Sequence, residues 1–150
     1  MKTRNIFLAI LLLFSTITFA QIKTLKKAST VEIGRVGPLG KQNLWCERTA
    51  DTYTFYYKDV KSPGMATVKS FSFKDIDNAF ENLYSMIMDG FNEMPTDNTL
   101  VQLPKGMIWL HYEKVVGATS FQFMHADSKN GQVGFSQLLT KGQVSKLFGK

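Results

Sequence analysis

Apolar and polar residues alternate with a period of two along much of the chain, and this alternation predicts β-strands. The stretch TYTFYYKDV shows it best, because its aromatic odd-numbered residues would share one face and Tyr56 and Lys58 the other. Short turns such as KSPG and the hairpin signal Asn130-Gly131 separate the strands. In order, the predicted strands are STVEIGRV, NLWCER, TYTFYYKDV, MATVKSFSF, NTLVQL, MIWLHYE, ATSFQFMH and QVGFSQ.

In two places the period changes to that of a helix. Apolar residues recur every three or four positions in DIDNAFENLYSMIMDGF, where Asp75 or Asp77 would cap the helix and Gly90 would end it. The closing stretch TKGQVSKLFGK predicts a shorter helix, with Thr140 and Gln143 at the spacing of a capping box. The predicted apolar face of the first helix consists of Ile76, Phe80, Leu83, Ile87 and Phe91, widened by Ala79 and Met86.

The order of these elements, four strands and then a helix, occurs twice. We therefore predict an α+β fold with a mainly antiparallel sheet and two helices, each packed on the sheet, in a single domain over residues 30–150. Short turns without crossover helices argue against a parallel doubly wound sheet. One long curved sheet and a partly closed barrel are the alternatives. The order also suggests an internal duplication, with pseudo-repeats at about 30–94 and 95–150.

Residue matches between the two halves accompany this order. PLGKQNLW is echoed by QLPKGMIW, so that Trp45 aligns with Trp109 at a shift of 64 residues. In the aromatic strand the shift becomes 66, which aligns Phe55 with Phe121. We expect both tryptophans to attach their strands to the core, and the lysine of each motif to lie in a solvent-exposed turn.

The first segment of the chain predicts export. Residues 1–20 begin with Lys2 and Arg4, continue with an apolar run and end with small residues before Gln21, which is the layout of a secretory signal peptide. The apolar run is short for a membrane span, so we predict a periplasmic or secreted protein with no transmembrane span after cleavage. A retained membrane anchor and a buried first helix are the alternatives. Residues 21–29 would form a basic N-terminal tail.

Charge and cysteine content narrow the partners only slightly. The formal net charge is +6, and removal of the leader reduces it to +4 with the basic residues scattered. Such a charge permits anionic partners without requiring them, so no specific nucleic acid is predicted. Cys46 is the only cysteine, which excludes an internal disulfide, and we predict that it is a small buried residue and not a reactive thiol.

No motif of a metal site, a cofactor site or a catalytic site is present in the sequence, so we predict no cofactor and no enzymatic activity. A hairpin that pairs Trp109 with Phe123 would put His111 and His125 on one face, roughly 13 Å apart at the rise of a strand. One metal ion could not bind two histidines at that distance, because zinc–nitrogen bonds measure about 2 Å.

The aromatic strands carry the functional hypothesis. If the helices cover only one face of the sheet, Tyr56, Lys58 and Tyr112 would form an exposed surface for a ligand or partner. We therefore predict a non-enzymatic binding module for a partner protein or an envelope ligand. A carrier of a small apolar ligand between sheet and helices is the alternative, followed by a hydrolase. An enclosed apolar cavity would favour the carrier, and two close carboxylates or Cys46 beside a histidine would favour the hydrolase.

Overall fold

The computed structural model describes residues 28–38, 43–62, 68–128 and 131–150. The predicted leader, most of the basic tail and Asn130 of the hairpin signal lie outside these ranges. The described strands are β1 (Thr30–Val36), β2 (Leu44–Thr49), β3 (Thr52–Lys58), β4 (Val68–Lys74), β5 (Thr99–Leu103), β6 (Gly106–Val115), β7 (Ala118–Ala126) and β8 (Val133–Phe135). The described helices are α1 (Ala79–Glu93) and α2 (Lys141–Leu147).

The strands form two antiparallel four-stranded sheets. Sheet 1 has the order β1-β2-β3-β4 and sheet 2 the order β5-β6-β7-β8, so each sheet is a meander in chain order. The predicted α+β fold with a mainly antiparallel sheet and two helices is confirmed. The shared strand order, with a helix after each sheet, is also what an internal duplication would produce.

The core lies between the inner faces of the sheets and the two helices. Tyr53, Phe55 and Tyr57 of β3 are buried, whereas Tyr56 and Lys58 are only half-buried, so the predicted alternation is confirmed. Full burial of one large apolar side chain stabilises a fold by about 1.5–3 kcal/mol. The stability of this domain therefore comes from the alternation of its strands and from the helices that cover their inner faces.

Each helix contacts strands of both sheets. α1 contacts β6 and β7, and its Phe80 also stacks on Tyr53 of β3 with ring centroids 3.9 Å apart; α2 contacts β1 and β2 and also β7. In the first contact Phe91 meets the ring of Tyr112 edge-on, with centroids 5.7 Å apart. Next to α2, Phe148 packs against Phe55 at 5.3 Å. Because each helix contacts both sheets, the two halves share one core.

Equivalent residues of the two halves contact each other near the centre. The observed registers pair Trp45 with Tyr56 and Trp109 with Met124. With the tryptophans aligned, Phe55 therefore corresponds to Phe123, and the predicted match with Phe121 is wrong. The reason is that the β6–β7 hairpin is longer than the β2–β3 hairpin, which moves the alignment after the turn.

Three contacts within the described residues are examples. The rings of Phe55 and Phe123 lie 5.7 Å apart, and the hydroxyl of Tyr57 lies 3.1 Å from Nδ1 of the equivalent His125. At the helices Tyr84 packs against Phe148, its counterpart at a shift of 64, at 5.3 Å. Contacts between equivalent residues are also what two halves related by a two-fold axis would make. They agree with the internal duplication that the repeated order of elements suggests.

Helix α1 differs from its prediction at both ends. It begins at Ala79 after Asn78, and Asp75 instead accepts a hydrogen bond from the amide of Phe80 at 3.0 Å. Ile76 precedes the helix and is 65% exposed, so its predicted place on the buried stripe is wrong. Met86 is also exposed, because it lies at the edge of the stripe and opens onto a groove.

Gly90 does not end α1, which continues to Glu93. A side chain at position 90 would overlap the ring of Tyr112, so the glycine permits close approach of helix and sheet. The helix ends at Met94, whose left-handed backbone lets its amide bond the carbonyl of Gly90. The predicted capping box at α2 is confirmed, because the side chains of Thr140 and Gln143 each accept from the other's amide.

Candidate functional site

An aromatic pair lies on the outer face of sheet 1. Trp45 of β2 and Tyr56 of β3 are cross-strand neighbours, and their half-buried rings stack with centroids 5.0 Å apart and planes at 12°. The indole nitrogen of Trp45 donates a hydrogen bond to the Glu47 carboxylate at 3.1 Å, which helps to fix the indole. We call this pair, with its neighbours Arg35 and Lys58, the Trp45–Tyr56 face.

Charges of both signs border this face. Arg35 pairs across the sheet with Trp45, and its guanidinium is bonded to the carboxylate of Glu32 on the same strand. That hydrogen bond lowers the pKa of Glu32 and raises the pKa of Arg35, so both groups stay charged over the ordinary pH range. Lys58 lies on the outer face two residues beyond Tyr56 and is half-buried. The surface therefore combines flat aromatic area with mixed charge.

Tyr112 does not belong to this face, and the expectation that it is exposed is wrong. It points inward from β6, is 9% exposed, and donates its hydroxyl hydrogen to the carbonyl of Ile87 at 3.0 Å. Burial, with a smaller effect of Asp89, raises the pKa of Tyr112. The strand MIWLHYE is apolar on both faces, so its alternation alone did not show which face turns inward.

Both tryptophans lie outside the core, which corrects the expectation that they attach their strands to it. Trp109 is half-buried on the outer face of sheet 2, paired across strands with Leu100 and Met124. The inner positions of β6 are taken by smaller residues such as Ile108 and Leu110, both fully buried. Lys105 is exposed in its turn, as expected, whereas Lys41 lies outside the described residues.

A polar pocket that the sequence analysis did not predict lies where the ends of the two sheets meet. It encloses about 260 Å³ and is lined by Val68, Lys69, Ser70, His125, Asp127 and Gln132. Gly134 lies against the side chain of Lys69 and the hydroxyl of Tyr57, and a side chain at position 134 would overlap both. A signal was present in β4, where Lys69 shares the inward parity of Phe71 and Phe73. A lysine on a buried face needs an acidic partner.

Asp59 is that partner. Asp59 is 6% exposed, and its carboxylate lies 2.7 Å from the ammonium of Lys69. The carboxylate also accepts hydrogen bonds from the amides of Lys61 and Phe135. Burial acts to raise the pKa of Asp59, but these three hydrogen bonds outweigh it and hold the pKa below its usual value. Asp59 therefore stays ionised and ties the end of β3 to both β4 and β8.

His125 lies beside this ion pair, on the inner face of β7. The register of β6 against β7 differs by one residue from the prediction. Trp109 pairs with Met124, and His125 pairs with Ile108. His111 accordingly lies on the outer face, hydrogen-bonded to Asn98, and the expectation that both histidines share a face is wrong. Burial lowers the pKa of His125, Asp127 acts against this, and Lys69 adds to it. His125 is therefore neutral near pH 7.

Chemically, the pocket offers a neutral imidazole, a paired ammonium, the hydroxyl of Ser70 and the side chains of Asp127 and Gln132. These groups can hydrogen-bond a small polar molecule, but Asp59 already neutralises the charge of Lys69. The one thiol of the chain is of no use as a nucleophile, because Cys46 is fully buried and burial raises its pKa to about 12. The prediction that Cys46 is a small buried residue is confirmed.

Two further findings concern the described part of the chain alone. No group of three or more His, Cys, Asp or Glu side chains is placed there to hold a metal ion. No helix in the same ranges is long and apolar enough to cross a membrane.

Comparisons of the chain with protein-family models, with curated proteins and with solved structures found no match.

Proposed function

We propose that this protein is an exported, non-enzymatic binding module that holds a partner protein of the cell envelope on its Trp45–Tyr56 face. The observation that carries the proposal is the stacked pair itself, 5.0 Å apart on the outer face of sheet 1. The core does not require an aromatic pair there, because the same two strands already contribute Cys46 and Phe55 to the core from their inner face.

The chemistry of the face suits a protein partner. Tryptophan, tyrosine and arginine are the residues that most often dominate the binding energy of protein interfaces. A pair that is already stacked loses little side-chain entropy on binding, so more of its contact energy appears as affinity. Within the described ranges no hydrogen bond engages the Tyr56 hydroxyl, which leaves this group available to a partner. The charges of Arg35, Glu32 and Lys58 would then provide the polar rim.

The alternatives have weaker support. The polar pocket and an apolar groove beside α1 enclose about 260 and 230 Å³, whereas pockets for small-molecule ligands usually enclose about 300–1,000 Å³. For a hydrolase, the Asp59 carboxylate is already occupied by Lys69 and two amides. The thiol of Cys46 is protonated at any ordinary pH.

The test is affinity capture from an envelope extract of the producing cells, with the exported protein as bait. Wild type, Tyr56→Ala and the control Trp109→Ala are compared, because Trp109 is also a half-buried aromatic residue but lies on the other sheet. We expect Tyr56→Ala to weaken binding of the captured partner by roughly 30-fold, since truncating a central aromatic residue costs about 2 kcal/mol. Trp109→Ala should bind as wild type does.

The thermal unfolding of both variants is measured beside the binding. Tyr56→Ala should unfold within a few degrees of wild type, because its side chain is outside the core. Equal capture by wild type and Tyr56→Ala would contradict the proposal. Binding to purified cell-wall glycan that depends on Tyr56 would instead assign the same face to a saccharide, since stacked aromatic rings also bind sugar rings.

A further inference from the structure

The four edge strands of the two sheets differ in how they are protected. β1 carries the charges of Glu32 and Arg35, and β4 carries two lysines. β8 is only three residues long and is bonded at Phe135 to the amide of Val60. β5, with the sequence TLVQL, carries no charge, and in the described residues its backbone makes no bond beyond β6. An uncharged open edge invites another strand, which natural proteins usually prevent.

The register shows which backbone groups of β5 are open. The two-residue turn Pro104-Lys105 closes on the pair Leu103 and Gly106, and in such hairpins that pair exchanges both of its backbone hydrogen bonds. Along an antiparallel strand the direction of the backbone groups alternates. The amides and carbonyls of Leu100 and Gln102 must therefore point away from β6, toward the open edge.

We propose that β5 pairs with β5 of a second copy of this chain, antiparallel and centred on Val101, so that the two copies of sheet 2 form one eight-stranded sheet. In this register Leu100 of one copy lies opposite Gln102 of the other. These are the two residues whose backbone groups are open, so four hydrogen bonds form between the copies. Such an interface has two-fold symmetry, as most homodimers have.

The side chains fit this arrangement on both faces. On the inner face Val101 meets Val101 of the second copy, beside a groove of about 230 Å³ between β5 and α1. Apolar side chains that this groove exposes, among them Ile76 and Met86, would be covered. On the outer face Leu100, which is 55% exposed, would be partly covered by the neighbouring strand.

Charge at the two ends of β5 favours the same register. Asp97 precedes the strand, Lys105 follows it, and both are exposed. Antiparallel pairing centred on Val101 brings Asp97 of each copy to the end where Lys105 of the other copy lies. β5 itself has no charged residue, so no like charges face each other between the two copies, although the whole chain carries a net charge of +6. The edge of one copy is therefore complementary to the same edge of the other copy.

Disulfide trapping tests the register directly. In the proposed pair Val101 and its mate are a non-hydrogen-bonded pair with Cα atoms about 4.5 Å apart, which is within the range that a disulfide spans. Val101→Cys should therefore form a covalent dimer under mild oxidation. The matched control is Thr99→Cys on the same face, where two cysteines would lie roughly 13 Å apart at the rise of a strand. Cys46 is fully buried in both proteins and stays silent.

A second measurement does not depend on cysteine chemistry. We expect sedimentation of the exported protein, over about 1 to 500 µM, to show reversible association to twice the chain mass. Leu100→Pro removes one amide that points to the open edge and none that bonds β6, so the fold should persist and the dimer should be lost. Leu100→Ala keeps that amide and should still dimerise.

Three results would overturn the proposal. They are a monomer at every concentration, equal disulfide formation by Val101→Cys and Thr99→Cys, and undiminished association of Leu100→Pro. None of them bears on the Trp45–Tyr56 face, which lies on the other sheet. The dimer and the binding function can therefore fail separately.

Discussion

Trp45 in the second strand of sheet 1 and Trp109 in the second strand of sheet 2 are equivalent in the alignment of the two halves, but their neighbours differ. Trp45 lies between Arg35 and the stacked ring of Tyr56, whereas Trp109 lies between Leu100 and Met124. The neighbours of the tryptophan are therefore aromatic and charged on sheet 1, whereas on sheet 2 they are apolar and not aromatic. Since these positions are outside the common core, one architecture can present two different surfaces.

The inner positions show the opposite behaviour. Phe55 and Phe123 are equivalent, and both are fully buried in contact with each other. A change at either residue must therefore fit the other. Even where the two halves differ, as at Tyr57 and His125, the two side chains are joined by a hydrogen bond of 3.1 Å.

The largest expected effect separates inner from outer positions within one strand. Phe123→Ala should lower the free energy of unfolding by about 3–5 kcal/mol, because a fully buried ring is replaced by a cavity. Met124→Ala, next in sequence but half-buried on the outer face, should cost about 1 kcal/mol or less. Denaturant unfolding measures both. Similar losses would show that the outer face of sheet 2 is packed as tightly as the core.

A smaller effect distinguishes a buried ion pair from an exposed one. Asp59→Asn should cost about 3 kcal/mol, because Lys69 loses its charged partner in a buried setting. The control is Asp51→Asn, whose carboxylate lies 3.7 Å from Lys74 with both side chains more than 60% exposed, and it should cost under about 0.5 kcal/mol. If the two variants lost equal stability, Asp59 would not be the link between the sheet ends that its contacts indicate.

The smallest expected effect concerns pH at the Tyr57–His125 contact. The pKa of His125 is lower in the folded chain than the ordinary 6.5, so the unfolded chain binds the proton more strongly. The stability that neutral His125 contributes is therefore fully present above about pH 6.5, and it is lost as the pH falls below that value. His125→Gln, which cannot titrate, should flatten the unfolding free energy between pH 7.5 and 5. An unchanged pH dependence would show that another group causes it.

The success of the fold prediction followed the strength of each local pattern. β3 is aromatic on its odd-numbered positions, and its alternation identified the inner face correctly. β6 is apolar on both faces, so the same reasoning placed Tyr112 on the wrong face. It also paired β6 with β7 one residue out of register, which affected His125. The start of α1 was also misplaced, because Ile76 has the spacing of the buried stripe but precedes the first helical turn.

The site was only partly predictable for a related reason. Tyr56 and Lys58 followed from the parity of one strand, but their stacking partner Trp45 comes from the neighbouring strand and depends on the register. The polar pocket joins Tyr57 to His125, 68 residues further along the chain, and Asp59 to Phe135, 76 residues away. No local period connects residues at such separations.

The amino-acid sequence by itself determined the secondary structure, the antiparallel character of the sheets and the repeated order of elements, because these depend on periodicity and turn chemistry within a few residues. The tertiary structure decided which strands each helix contacts, which aromatic residues face outward and where Lys69 finds its carboxylate. These features depend on how the two halves pack against each other. Burial and pairing between distant residues arise only when the whole chain has folded.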